Sequence, residues 1–358
     1  MLYHVLYSLH EISILFNVFR YITFRTFCAI ITSALIVFVL MPRFIAYMRK
    51  RQFGQVIREI GPDHQHKAGT PTMGGVVIIF AVTLASLLWG NLNNIYLWIT
   101  LGLFLIFGLI GFLDDWRKVS RGKSLGLTGK EKLVLQALTA GIFLFLALKY
   151  GTFDTKLSVP FFKEFRPDLG FLYFPFTMLV VVGASNAVNL TDGLDGLATG
   201  PFVIVAGVYL LFVYLAGHAK LASYLQIPYV PGAGELCIFC GALIGGALAF
   251  LWYNAYPAEI FMGDVGSLSL GASLGALAVI SKQELLLVLA GGIFVAEALS
   301  VMLQVAYFRL TGGKRIFLMA PLHHHFEKLG WPEPKIIVRF WIVAIFMGLL
   351  AVSTLKLR

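Results

Sequence analysis

The residues able to do chemistry gather in five short strings. Asp114 and Asp115 stand side by side in GFLDDWRKVSRGK, at the end of an apolar run. Two adjacent carboxylates there call for a cation; alternatively they stop the run and pair with Arg117, Lys118 or Arg121. SNAVNLTDGLDGLATG offers Asn186, Asn189, Asp192 and Asp195 among glycines at 193, 196 and 200. It lacks the alternating ligands and closing Glu of a calcium loop. An Asx-turn with glycines for positive φ would account for it structurally, although four polar side chains exceed what a turn requires. In NAYPAEIFMGDVGSLSLG, Asp264 precedes an apolar run, where N-capping alone could explain it. DHQHKAGTPTMGG leads Lys67, Thr70, Thr72 and Gly74-Gly75 into another run, a helix start suited to anions. No GK[ST] follows its glycines, so it is not a P-loop. KRIFLMAPLHHHFEKLGWPEPK carries His323, His324 and His325. Helical neighbours point about 100° apart, so the three cannot all bind one metal. One or two could contact phosphate, or the segment is an amphipathic stretch at an interface.

The elements that position these strings are membrane spans. The 358 residues are 59% hydrophobic and 13% charged, with mean hydropathy +0.84, whereas soluble domains are about a quarter charged. A helical span takes roughly 20 apolar residues. Ten runs qualify, at about 21–42, 73–90, 95–113, 132–149, 171–187, 197–216, 235–254, 265–281, 285–308 and 336–354. An all-α polytopic membrane protein follows, read as one domain over 1–358, since no repeat or linker divides it. Of the 28 lysines and arginines, 16 lie between spans 1–2, 3–4 and 9–10. The positive-inside rule makes those loops cytoplasmic and puts both termini, including Arg358, outside. The net charge of +10 thus has a membrane explanation, and nucleic-acid binding is excluded. The first twenty residues suit a short interfacial helix, 151–170 a small hairpin, and 218–234 another interfacial helix. Gly291-Gly292 and Glu297 interrupt span 9, which predicts a bent or broken helix. Cys28, Cys237 and Cys240 lie in apolar runs, so the CxxC reads as packing rather than zinc or redox chemistry.

This topology brings Asp114-Asp115, the Asp192–Asp195 loop and Asp264 to one cytoplasmic face, an arrangement that can gather oxygen ligands around Mg²⁺. Carboxylates, lysines and imidazoles beside a bilayer suggest Mg²⁺-assisted phosphoryl transfer on a lipid headgroup. An ion-coupled transporter also uses acids and broken helices. Its site would lie near the midplane, with inverted repeats that are not visible here.

DDWRK, NAVNLTDGLDGLA, FMGDVGSL, KAGTPTMGG and APLHHHFE together resemble the polyprenyl-phosphate N-acetylhexosamine-1-phosphate transferases, most closely the muramoyl-pentapeptide branch. The resemblance covers nearly the whole chain, including GELCIF, GKRIF and GWPEPKIIVRFWI; the HHHFE form and GTPTMGG favour that branch over sugar-only relatives. It implies a multi-pass enzyme of the bacterial inner membrane. The implied reaction takes UDP-N-acetylmuramoyl-pentapeptide and undecaprenyl phosphate, with Mg²⁺, to lipid I and UMP. By motif, Asp114, Asp115, Asp264, His323, Lys118 and Lys132 are implied as catalytic, with Asp115 and Asp264 on the metal. Lys130 competes with Lys132 for the role of functional lysine. The implied substrate contacts are Lys67 near the nucleotide, Phe261 stacked on uracil, and Thr72, Asn186, Asn189, Asp192 and Asp195. Gln304, His324 and His325 complete that set. A homodimer is compatible with the sequence.

Overall fold

The computed structural model describes residues 1–51, 67, 69–121, 126–162 and 164–356, with only the backbone of Val119 and Arg121. The expected pairing of Arg121 and the expected placement of Arg358 therefore lie outside the described residues. The helices are α1 (Leu2–Ser8), α2 (Ile22–Lys50), α3 (Gly75–Trp89), α4 (Ile95–Arg121), α5 (Gly129–Tyr150), α6 (Tyr173–Thr191) and α7 (Thr199–Ala216). They continue as α8 (Ala219–Leu225), α9 (Leu236–Asn254), α10 (Gly263–Ile280), α11 (Leu286–Ala290), α12 (Gly292–Leu310), α13 (Leu322–Lys328) and α14 (Glu333–Ser353). Among the described residues, nine helices are long and apolar enough to cross a membrane, as expected of a polytopic all-α protein. The remaining predicted span, α3, has only 15 residues, about 22 Å against a hydrocarbon core of about 30 Å.

Several boundaries differ from the hydropathy reading for local reasons. α4 runs on past Asp114-Asp115 to Arg121, so the pair lies inside a helix and not at its C-terminus. Charge ends the apolar run without ending the helix, and Lys118 lies 2.5 Å from Asp114 and 3.6 Å from Asp115 at i,i+4 and i,i+3. α5 starts three residues early because Thr128 and Glu131 form a capping box; Lys132 thus belongs to its first turn. Span 9 is broken as expected: α11 stops at Ala290 and α12 starts at Gly292. Among the described residues of the expected 151–170 hairpin, one antiparallel bridge forms, Lys156 with Asp168.

The helices alternate in direction. At one end, the starts of α5, α10 and α14 meet the ends of α4, α6 and α9: Lys132 reaches Asp264, and Gly196 after α6 donates to Asn254 of α9 at 3.1 Å. The far end has its own ties, with Arg25 of α2 donating to Glu235 at 2.8 and 2.7 Å. Lipid is as apolar as leucine, so helices here associate through close packing and not hydrophobic exclusion. α10 is the centre of that packing: every residue from Val265 to Ile280 is buried. α4 reaches it through Gly111, where an added Cβ would stand 2.2 Å from the Asp264 carbonyl oxygen.

Gly111→Ala should therefore force α4 from α10 and lower stability by about 1–3 kcal/mol, the usual cost of overpacking. Gly102→Ala on the same helix meets nothing within 4 Å and should be neutral or slightly stabilising. Thermal unfolding of both variants in detergent checks this; equal midpoints would show that α4 and α10 are not in tight contact.

Candidate active site

α4, α5 and α10 converge on three carboxylates and two ammonium groups. Ligand atoms of Asp114, Asp115 and Asp264 lie within 4.8 Å of one another. Lys118 Nζ stands 2.5 Å from Asp114 and 3.2 Å from Asp264. Lys132 Nζ stands 2.5 Å from Asp264 and 3.7 Å from Asp114. Backbone groups aim the acids: Leu127 N–H donates to Asp114 at 2.8 Å and Val265 N–H to Asp115 at 3.1 Å. Asn189 on α6 donates to Asp264 at 2.9 Å and to Ser267 at 2.8 Å. Asp264 sits in the first turn of α10 but makes no cap bond there; the first-turn N–H of Val265 goes to Asp115 instead. The Asp264 carboxylate is directed to the cluster, so the capping explanation fails. Three carboxylates against two ammoniums leave one net negative charge and a set of hard oxygen donors, a chemistry that suits a divalent cation such as Mg²⁺.

A second group adjoins the first. Lys67 Nζ binds Asp195 at 2.7 Å and Glu333 at 2.6 Å. Glu333 also accepts the Asp195 N–H at 2.9 Å, and the other Asp195 oxygen accepts Ala258 N–H at 2.9 Å. The strand of chain holding Thr72 lies along the one holding Phe261: Phe261 N–H donates to the Pro71 carbonyl at 2.8 Å, and Gly74 N–H returns a bond to the Phe261 carbonyl at 2.9 Å. The Phe261 side chain is half-buried, three residues before Asp264. Asp192 lies between the groups, and burial, then repulsion from Asp264, Asp115 and Asp195, pushes its carboxyl up to about 7.

The remaining residues are spread more widely. Asn186, one turn before Asn189, donates to Gln136 at 2.7 Å. The three histidines diverge, as helical neighbours must: His323 is buried against Glu297 at 3.2 Å, and His324 binds Glu327 at 2.6 Å. His325 accepts the Leu318 N–H at 3.1 Å. Gln304 accepts the N–H groups of Ile316 and Phe317 at 3.1 and 3.0 Å, so it braces the chain between α12 and α13. Sequence reasoning missed Glu333, Ser267 and Gln136. An acid after Pro332 at a helix start was a readable signal for Glu333; nothing local distinguishes Ser267 or Gln136.

A family model described as glycosyl transferase family 4 matches residues 97–282. A phospho-N-acetylmuramoyl-pentapeptide-transferase signature matches residues 67–79, which include Lys67 and Thr72. Curated proteins named phospho-N-acetylmuramoyl-pentapeptide-transferase are similar from end to end. That of Oleidesulfovibrio alaskensis is 57% identical over 358 residues, and that of Desulfotalea psychrophila 58% identical over 362, each alignment covering 100% of both chains. That of Citrifermentans bemidjiense is 57% identical over 360 residues with the same coverage.

The elevated Asp192 carboxyl has a stability consequence. It holds its proton up to about pH 7 in the folded protein, whereas in an unfolded chain it loses it near pH 4. Stability from this group is therefore full below about pH 4 and lost as pH rises to about 7. In metal-free buffer, Asp192→Asn should raise the unfolding midpoint at pH 8, and the gain should shrink towards pH 4. A pH-independent difference between variant and wild type would rule this out.

Proposed function

The chain belongs to the phospho-N-acetylmuramoyl-pentapeptide-transferase family, and on that premise we propose its full reaction. It transfers phospho-N-acetylmuramoyl-pentapeptide from the UDP derivative to undecaprenyl phosphate, forming lipid I and releasing UMP. The observation that carries this reading is the meeting of Asp114, Asp115 and Asp264 with Lys118 and Lys132 at one end of the bundle. Both reactants are phosphate anions, so the main barrier is bringing like charges together. Lys118 and Lys132 lower it by placing two ammonium groups where the phosphates meet. Mg²⁺ held by Asp115 and Asp264 would screen the diphosphate and stabilise the departing UMP.

The lipid phosphate, with a second pKa near 6, is already largely a dianion at neutral pH. It attacks the β-phosphorus directly, and no carboxylate need form a covalent intermediate. Asp114 orients that phosphate and takes the proton of any residual monoanion. Lys67, Thr72 and Phe261 form the nucleotide side, with the Phe261 ring against uracil. Asn186, Asn189, Asp192, Asp195 and the histidines 323–325 line the sugar-phosphate side, with Gln304 at its margin. The whole chain, 1–358, works as one domain in the bacterial inner membrane, and the lysine and arginine bias sets the site end in the cytoplasm, where the UDP precursor is made.

Purified protein given Mg²⁺, undecaprenyl phosphate and UDP-N-acetylmuramoyl-pentapeptide should yield a lipid product of the mass of lipid I. UDP-N-acetylglucosamine in its place should yield none. Asp264→Asn should fold, since Asp264 makes no cap bond, yet lose about 10²-fold or more in turnover. Turnover near that of wild type would remove Asp264 from the metal. Orientation is tested separately in intact cells, on a background lacking Cys28, Cys237 and Cys240. A cysteine at exposed Lys220 should react with an impermeant reagent and one at exposed Ser120 should not; the reverse pattern would invert the protein in the membrane.

A further inference from the structure

Glu297 is completely buried in α12, two turns after the break at Gly291. An isolated carboxylate inside a membrane bundle is costly and marks a specific partner. That partner is His323. Its backbone N–H donates to Glu297 Oε1 at 3.1 Å, and its Nδ1 lies 3.2 Å from Oε2. At that distance the negative charge of an acceptor-only carboxylate favours the tautomer with the proton on Nδ1. The ring, 1% exposed, then turns Nε2 toward Gly193, where an added Cβ would stand 2.3 Å from that nitrogen. Among the described residues neither ring nitrogen, nor Glu297 Oε2, completes a hydrogen bond; Nδ1 and Oε2 stand at ion-pair distance. Gly193 belongs to the tight turn joining α6 to α7, its N–H bonded to the Thr191 carbonyl at 2.8 Å. Asp192 and Asp195 flank that glycine.

We propose that Glu297 is a positioning residue: acting through His323, it fixes the turn at Gly193 and so holds Asp192 and Asp195 toward the carboxylate cluster. This rests on the transfer reaction proposed above. Glu297 is closed off from solvent, and its effect is carried by one ring packed on a glycine. The asymmetry of glutamine makes the idea testable. In Glu297→Gln, the amide oxygen can still accept the His323 backbone N–H, which leaves the amide N–H₂ facing Nδ1. The ring must then carry its proton on Nε2, against the turn.

Solid-state NMR of the full chain in liposomes, labelled with ¹⁵N-histidine, reads the tautomer; His323 is assigned by the signal lost in His323→Gln. Wild type should carry the proton on Nδ1 and Glu297→Gln on Nε2. Transfer kinetics run alongside. Each single variant should lose about 10- to 100-fold in kcat/KM, the scale of small misplacements at a reaction site. The double variant should be no worse than the poorer single within twofold, because both act through one contact. An unprotonated Nδ1 in wild type, multiplying losses in the double variant, or unchanged kcat/KM in Glu297→Gln would each overturn the proposal. Should Glu297→Gln not fold, Glu297→Asp replaces it in the cycle, keeping the charge but withdrawing it by one methylene, with a loss expected in the same direction. A wild-type protein without transferase activity would defeat the proposed function instead, while the wild-type tautomer would still decide whether Glu297 and His323 form this pair.

Discussion

The fold is organised around a repulsion. Three carboxylates within 4.8 Å of one another oppose each other by about 3–4 kcal/mol per pair at the effective dielectric of a protein. Nothing about membrane helices brings such groups together of itself. They stay because two lysines are threaded between them, at 2.5 to 3.7 Å from their oxygens. Each lysine touches acids from two helices, so the charge cluster also bolts α4, α5 and α10 to one another. Removing either cation would weaken a packing contact as well as a chemical one.

The same arrangement is graded in exposure. The Lys118 side chain is 30% exposed, whereas the Asp114 side chain it holds is 3% exposed. An anion arriving from the open side meets the ammonium before it meets the carboxylates. Lysine suits that position: its charge sits on a flexible stem and can follow a phosphate without breaking a planar, two-pronged geometry as arginine would. Arginine appears instead at the far end, where Arg25 grips Glu235 with two bonds and also donates to the Trp89 carbonyl.

Much of this was legible in the sequence, and the rest was hidden for identifiable reasons. Apolar runs marked the spans, and the pattern of acids at alternate span ends pointed to one face. Hydropathy, however, reports where lipid stops and not where a helix stops. That is why Asp114 and Asp115 were expected at a terminus while α4 continues to Arg121. The early start of α5 was written in Thr128 and Glu131, a pattern of side-chain hydrogen bonds to which an apolar scan is blind. Glu333 and Glu297 act on residues far away in sequence, Lys67 and His323; Pro332 marks the first and the break in span 9 the second, but neither signal names the partner. Gln304 shows the opposite case, a polar residue within a span that the structure uses to brace its own chain.

α10 makes the deepest distinction between the two kinds of information. Its mean hydropathy is the lowest of the nine candidate spans, yet it is buried from Val265 to Ile280. A helix facing lipid must be apolar, whereas one enclosed by other helices must be small, and glycine, alanine and serine meet that need while lowering hydropathy. The hydroxyls cost little there: Ser269 and Ser273 return their hydrogen bonds to the backbone of the preceding turn. Small side chains let α4 approach to backbone contact at Asp264, and that approach sets Asp115 beside the first turn of α10. The central position of α10 is thus what allows one aspartate to meet side chains from α4, α5 and α6 together. Weak hydropathy in this span is the physical condition for the site.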